Sequence, residues 1–77
     1  MNLEIVSPGK IIYNGKAESV TLPGFSGSFS ILDRHAPIVA ALKNGILSYS
    51  VDGEDKEVMI NGGFVEVKKN IISICVE

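Results

Sequence analysis

The chain has 77 residues, with seven Lys plus Arg against nine Asp plus Glu, one His, one Cys, no Trp and a formal net charge of −2. A chain this short forms one domain, residues 1–77, and buries only about 60% of its unfolded surface, so a deep catalytic pocket is not expected and function should reside on a surface. An apolar content of 45% excludes a disordered tail, a single Cys75 excludes an intramolecular disulfide framework and favours a reducing compartment, and the acidic balance argues against nucleic-acid binding.

Helical periodicity is nearly absent. Short β-branched runs separated by Gly, Pro, Asn and Asp predict strands over residues 2–6, 10–14, 17–22, 28–32, 38–42, 46–51, 56–60, 64–68 and 71–76. The start, Met1-Asn2-Leu3-Glu4, has neither a basic nor an apolar leader region, and no apolar run approaches the roughly 18 residues of a membrane span, so a soluble, untargeted chain is expected. Ser7-Pro8-Gly9 links the first two strands with Pro before Gly, the type II turn arrangement. Asn14-Gly15 suits a two-residue hairpin into the third strand, and Leu22-Pro23-Gly24 a second type II turn after it.

Beyond the polar Asp33-Arg34-His35, the segment from His35 to Gly45 has Pro37 near its start, several Ala and a terminal Gly, which also describe two helical turns. Ile38 and Val39 favour a strand there. Farther on, Leu47, Tyr49 and Val51 alternate with Ser48 and Ser50, and Ile72, Ile74 and Val76 with Ser73 and Cys75, so one face of each strand is buried. With Asp52-Gly53 as a hairpin turn and Asn61-Gly62-Gly63 as a looser joint, the last four strands read as an antiparallel meander. The expected fold is all-β, a flattened two-sheet sandwich of about nine to ten short strands.

No constellation for chemistry emerges. The only His is His35 and the only thiol Cys75, set in an alternating strand, so nucleophile and base do not pair. One His and one Cys make no metal cluster, and Asp52, Glu54, Asp55 and Glu57 do not follow calcium-loop spacing and read as a solvated hairpin tip. The Gly-rich Pro23-Gly24-Phe25-Ser26-Gly27-Ser28 has no following helix or Lys-Ser/Thr pair to cradle phosphate. Phe25, Phe29, Phe64, Tyr13 and Tyr49 are scattered and unaccompanied by basic residues, which leaves no stacking groove for nucleic acid. No catalytic residue and no cofactor is expected. A lipoyl or biotin carrier of similar size would present a Lys at a hairpin tip, but Lys56 lies between Asp55 and Glu57 rather than between the flanks such a carrier uses.

The continuous stretch Leu22-Pro23-Gly24-Phe25-Ser26-Gly27-Ser28-Phe29-Ser30-Ile31-Leu32-Asp33-Arg34-His35-Ala36-Pro37, followed by Leu42-Lys43-Asn44-Gly45, resembles the signature of the epsilon subunit of F-type ATP synthases, in its N-terminal domain. Leu3-Glu4-Ile5-Val6-Ser7-Pro8, Ile12-Tyr13-Asn14-Gly15 and Asn61-Gly62-Gly63-Phe64-Val65-Glu66-Val67 are similar to other strands of that domain, so the resemblance covers nearly the whole chain. Departures fall at Ser28, where the family often has an acidic residue, at Ser30, and at Asp33-Arg34, where Pro-Gly or Pro-Asn is common.

The resemblance implies a non-catalytic β-sandwich of the rotor in the central stalk, coupling rotation of the c-subunit ring to the gamma subunit during ATP synthesis, at the cytoplasmic face of the bacterial inner membrane and without inserting into it. Carried over by position, Gly27, Ser28, Phe29, Asp33 and Arg34 are the candidates for ring contact. Ser7, His35, Ala36, Pro37, Ile38 and Ala40 are the candidates for gamma contact, with core packing the competing role for Phe29, Ile38 and Ala40. The family's helical C-terminal hairpin has no counterpart in these 77 residues, so a coupler without that inhibitory element is expected.

Overall fold

The computed structural model describes residues 1–77, and every regular element in it is a strand. In chain order these are β1 (Asn2–Ser7), β2 (Lys10–Lys16), β3 (Ser19–Gly24), β4 (Gly27–Leu32), β5 (Ile38–Leu42), β6 (Gly45–Val51), β7 (Glu54–Ile60), β8 (Gly63–Lys68) and β9 (Ile71–Val76). The segment with a competing helical reading is therefore strand β5, where Ile38 and Val39 decide the local preference and β8 supplies the partner.

Pairing runs β2-β1-β9-β8-β5 in one layer and β4-β3-β6-β7 in the other, and the two join where Gly24 of β3 pairs Leu42 of β5. The curled sheet thus folds into a sandwich around one core. Leu3 and Ile5 of β1, Val65 and Val67 of β8, and Ile72, Ile74 and Val76 of β9 face Val20 and Leu22 of β3, Ile31 of β4 and Leu47 and Tyr49 of β6. All of these side chains are buried and none of the buried side chains is polar or charged. The period-two alternation read from the sequence generates that core directly.

Three local expectations are corrected. Asn14-Gly15 is not a turn: both residues lie in β2, opposite Glu4 and Leu3, and Gly15 lets the Tyr13 ring fold across its backbone. Pro23 and Gly24 are likewise buried in β3, with the turn displaced to Phe25-Ser26; the Pro23 carbonyl accepts the Lys43 N–H at 2.9 Å. Proline is tolerated at this point because β6 has left β3 after Thr21, so no ladder donor is lost on that side. The meander is also interrupted, since β7 and β8 are not neighbours: β7 closes one layer as an edge strand, and the Asn61-Gly62 joint carries the chain across to β8, which pairs β5 and β9.

Turn chemistry accounts for the rest. Pro8-Gly9, with Gly9 at φ 74°, and Asp52-Gly53, with φ of 52° and 79°, close their hairpins as expected. Lys69-Asn70 does the same work between β8 and β9 with no glycine, at φ of 51° and 62°.

Candidate functional surfaces

No three His, Cys, Asp or Glu side chains converge on a point that could hold a metal ion, and no helix is present that is long and apolar enough to cross a membrane. Lys56 lies within β7 opposite Tyr49, not at a hairpin tip, which removes the feature a prosthetic-group carrier needs. The distinctive features are two ends of the sandwich and one apolar outer face.

The candidate ring and gamma residues divide by end rather than by set. Gly27 begins β4, against Gly24, whereas Asp33 and Arg34 follow its last residue, so roughly 17 Å of extended strand separates the two groups. On the other layer, Val6 aligns through Cys75 and Phe64 with Ala41, and Leu3 through Ile72 and Val67 with Ile38. Ser7 is thus level with the C-terminal end of β5, while His35, Ala36 and Pro37 precede its N-terminal end. The structure brings Asp33, Arg34, His35, Ala36 and Pro37 into one loop and leaves Ser7 three strands away.

Between β4 and β5, Gly27 and Phe29 share one lining with Ile38 and Ala40. Together with Gly24, Phe25, Ser26, Val39 and Ala41 they line a shallow groove of about 390 Å³ between the β3–β4 hairpin and β5. Phe29, Ile38 and Ala40 are partly buried against the core, so their side chains carry packing as well as surface. The residues of β5 that point outward are Val39, 75% exposed, and Ala41; cross-strand from Ala41 stands Phe64, 54% exposed, and beyond it Cys75. This apolar strip was missed from sequence. Its signal was present: Ile38-Val39-Ala40-Ala41-Leu42 has no polar residue on either face, the pattern of a strand covered on both sides.

The Asp33–Pro37 loop is held by side chains from elsewhere. Asn70 Nδ2 donates to Asp33 Oδ1 at 2.8 Å, and the Arg34 backbone N–H donates to Asn70 Oδ1 at 2.9 Å. The Met1 amino group adds a longer contact to the same Asp33 oxygen at 3.4 Å. The Asn70 amide, followed by the Met1 amine, holds the Asp33 carboxyl below the usual carboxylate range. Arg34 lies in the left-handed region at φ 63°, with its side chain 90% exposed and its Nε 3.9 Å from Asp33 Oδ2. His35 Nδ1 lies 2.7 Å from the Ala36 carbonyl, which fixes its ring against its own loop. Asn70 is the residue that sequence reasoning overlooked.

Comparison with known proteins matches the chain to one family. Residues 1–77 fit the model described as ATP synthase, Delta/Epsilon chain, beta-sandwich domain. An ATP synthase epsilon chain of Leptospira borgpetersenii is 43% identical over 74 residues, 96% of this chain and 58% of the relative. One from Nitratidesulfovibrio vulgaris is 38% identical over all 77 residues, again 58% of the relative. The chain therefore spans just over half the length of the curated relatives it matches. Among solved structures, a chain of the Euglena gracilis mitochondrial ATP synthase (OSCP/F1/c-ring) superposes with a TM-score of 0.91 at 23% identity, covering 96% of this chain and 48% of its own length. One from the central stalk and c-ring of the Tetrahymena thermophila enzyme gives 0.85 at 21%, covering 97% and 61%. These likenesses independently reproduce the fold, and the family match over every residue leads to one conclusion: the chain belongs to the delta/epsilon family of ATP synthase chains and carries its β-sandwich domain.

Proposed function

We propose that this domain is a non-catalytic coupler in the rotor of an F-type ATP synthase, joining the c-subunit ring to the gamma subunit at the cytoplasmic face of a bacterial inner membrane. The observation that carries the reading is the match of all 77 residues to the delta/epsilon sandwich, among relatives named as ATP synthase epsilon chains. A coupler must pass torque without yielding. Nine strands tied by 40 backbone hydrogen bonds around a core without a buried polar side chain give a body with few soft internal modes.

Strand β5 and its neighbours supply the face for gamma. Because Ile38 and Ala40 turn toward the core, the contact along this strand falls to Val39 and Ala41, extended by Phe64, with His35, Ala36 and Pro37 at its edge. The Asp33-Arg34 turn adjoins that edge and serves the polar loops of the ring. Gly27 and Ser28 at the far end of β4 form a second polar point of contact, and Ser7, apart from both, is the weakest member of the gamma set.

The test is direct binding. Mixed with purified gamma, the chain should form a complex that survives gel filtration and buries on the order of 800 Å² per partner. Absence of heat in calorimetry and of co-elution at micromolar concentrations refutes the reading.

A further inference from the structure

We infer that Asn70, at the β8–β9 turn, is a positioning residue that fixes the Asp33-Arg34 turn and so presents the Arg34 guanidinium outward to a carboxylate of the partner. The inference deepens the reading above and rests on it, since it takes that turn to face the c-subunit ring.

The geometry is specific. The Asn70 amide is used at both of its ends on consecutive residues, as donor to the Asp33 carboxylate and as acceptor from the Arg34 N–H. Its own backbone is anchored, because its carbonyl accepts the Asn2 N–H at 3.1 Å and its left-handed φ of 62° is set by the tight turn with Lys69. An anchored amide thus grips a loop from another layer. Non-glycine residues enter the left-handed region only when surroundings hold them there, and for Arg34 that hold is the hydrogen bond to Asn70.

The grip also sorts the charges. Asp33 Oδ1 is engaged by Asn70 and the Met1 amine, which leaves the long 3.9 Å approach of Oδ2 to Arg34 Nε as that guanidinium's only ionic contact. With the carboxylate tied to Asn70 and Met1 and the Arg34 side chain 90% exposed, the cation projects from a backbone that Asn70 holds. A planar guanidinium in that position is suited to a carboxylate, which it engages through two parallel hydrogen bonds.

Two variants of Asn70 and one exchange test this. Asn70→Gly keeps a residue that accepts positive φ and deletes the amide, so the sandwich should stay folded with a modest loss of melting temperature at neutral pH, while exchange of the Arg34 amide hydrogen, followed by NMR, accelerates on the order of tenfold. Asn70→Asp retains the acceptor for the Arg34 N–H but sets a second carboxylate against Asp33, in a cluster whose other charges are the Met1 amine and Arg34, with His35 next in the loop. Its loop should therefore be disordered at neutral pH and recover once the pair shares a proton, below about pH 4 to 5. The double exchange Asp33→Asn with Asn70→Asp restores one amide donor and one carboxylate and should return Arg34 amide protection to the parent value. A merely structural asparagine would show no such rescue.

In the assembled synthase, Asn70→Gly should lower ATP-driven proton pumping per ATP hydrolysed in the same direction as Arg34→Glu, and the exchange should restore it. Unchanged Arg34 amide exchange in Asn70→Gly, or no rescue by the double exchange, overturns the positioning role. If Arg34→Glu itself leaves coupling unchanged while Asn70→Gly still frees the loop, the placement of this turn against the ring is what fails, and with it the presentation of Arg34.

Discussion

Replacing Val39 by Thr separates surface from scaffold. The side chain is 75% exposed on the outer face of β5, and Thr keeps its shape and β-branching, so strand preference is retained and the folded state loses almost no packing. Stability should change by no more than about 0.5 kcal/mol, which for a domain of this size is a melting shift within roughly 4 °C. The partner surface feels the change differently. If Val39 is covered by gamma, the new hydroxyl is buried without a hydrogen-bond partner at a cost of about 1–3 kcal/mol, a loss of roughly 5- to 150-fold in affinity. Calorimetric titration with gamma beside a thermal melt of the free chain measures both quantities. Wild-type affinity with an unchanged melt would show that the outer face of β5 is not the gamma surface; a large melting loss would show that Val39 is part of the core.

Other substitutions test the scaffold itself. Leu22→Ala removes a fully buried side chain where β3 meets both layers and should cost about 2–5 kcal/mol in chemical denaturation, a large share of the roughly 4–12 kcal/mol expected for this chain length. Gly63→Ala should be worse than its single methyl suggests, because φ is 148° and the new carbon would overlap the Cys75 carbonyl oxygen; a loss above about 3 kcal/mol or failure to fold is expected, and a near-wild-type melt would contradict the β8–β9 register. The depressed Asp33 carboxyl predicts a pH effect of definite sign. A carboxylate whose folded pKa lies below its unfolded value stabilises fully above about pH 3.9, and that contribution is lost as pH falls through the folded pKa. Melting curves of wild type and Asp33→Asn from pH 6 down to about pH 2 should differ at the upper end and converge at the lower; parallel curves would deny the interaction.

Strands were legible in this sequence because period-two alternation is imposed by the core, and Leu47-Ser48-Tyr49 or Ile72-Ser73-Ile74 can face it in only one way. Turns were legible only where nothing nonlocal competed. Asp52-Gly53 became the hairpin turn its residues favour, but Asn14-Gly15 was drawn into β2 by pairing with β1, and Pro23-Gly24 into β3 by packing against Gly45 and pairing with β4. Lys69-Asn70 was legible too: the break between strands 64–68 and 71–76 falls there, and Asn tolerates the left-handed backbone that the β8–β9 turn needs. The surface residues were the hardest to place. Contact positions carried over along the chain say nothing about which end of a strand they occupy, and the length of β4 alone separates Gly27 from Arg34. Asn70 could not be found at all without the fold, since its partners are 36 and 37 positions away.

That separation bears on how a small sandwich can serve as a coupler. A joint that must resist twisting gains from contacts spread over a wide base, because the force at each contact falls as its distance from the axis grows. With extents of 25 × 23 × 20 Å, the chain is close to isotropic, and its polar candidate contacts at Gly27-Ser28 and Asp33-Arg34 lie near opposite ends of one strand rather than in one loop. Strand β4 would then act as a strut, bonded along its whole length to β3 with Ile31 fully buried beneath it, so that neither end moves without the other. Its far edge has no strand partner, which makes the Thr21–Ser30 hydroxyl contact at 2.8 Å and the β3 ladder its only lateral supports. Weakening that strut at Ile31→Ala should therefore reduce coupling even at temperatures where the domain remains folded, whereas an equally destabilising change in β7, at the other edge of the layer, should leave coupling intact. Equal coupling losses from the two, matched for stability, would mean that only the overall stability of the sandwich matters and that β4 has no special mechanical role.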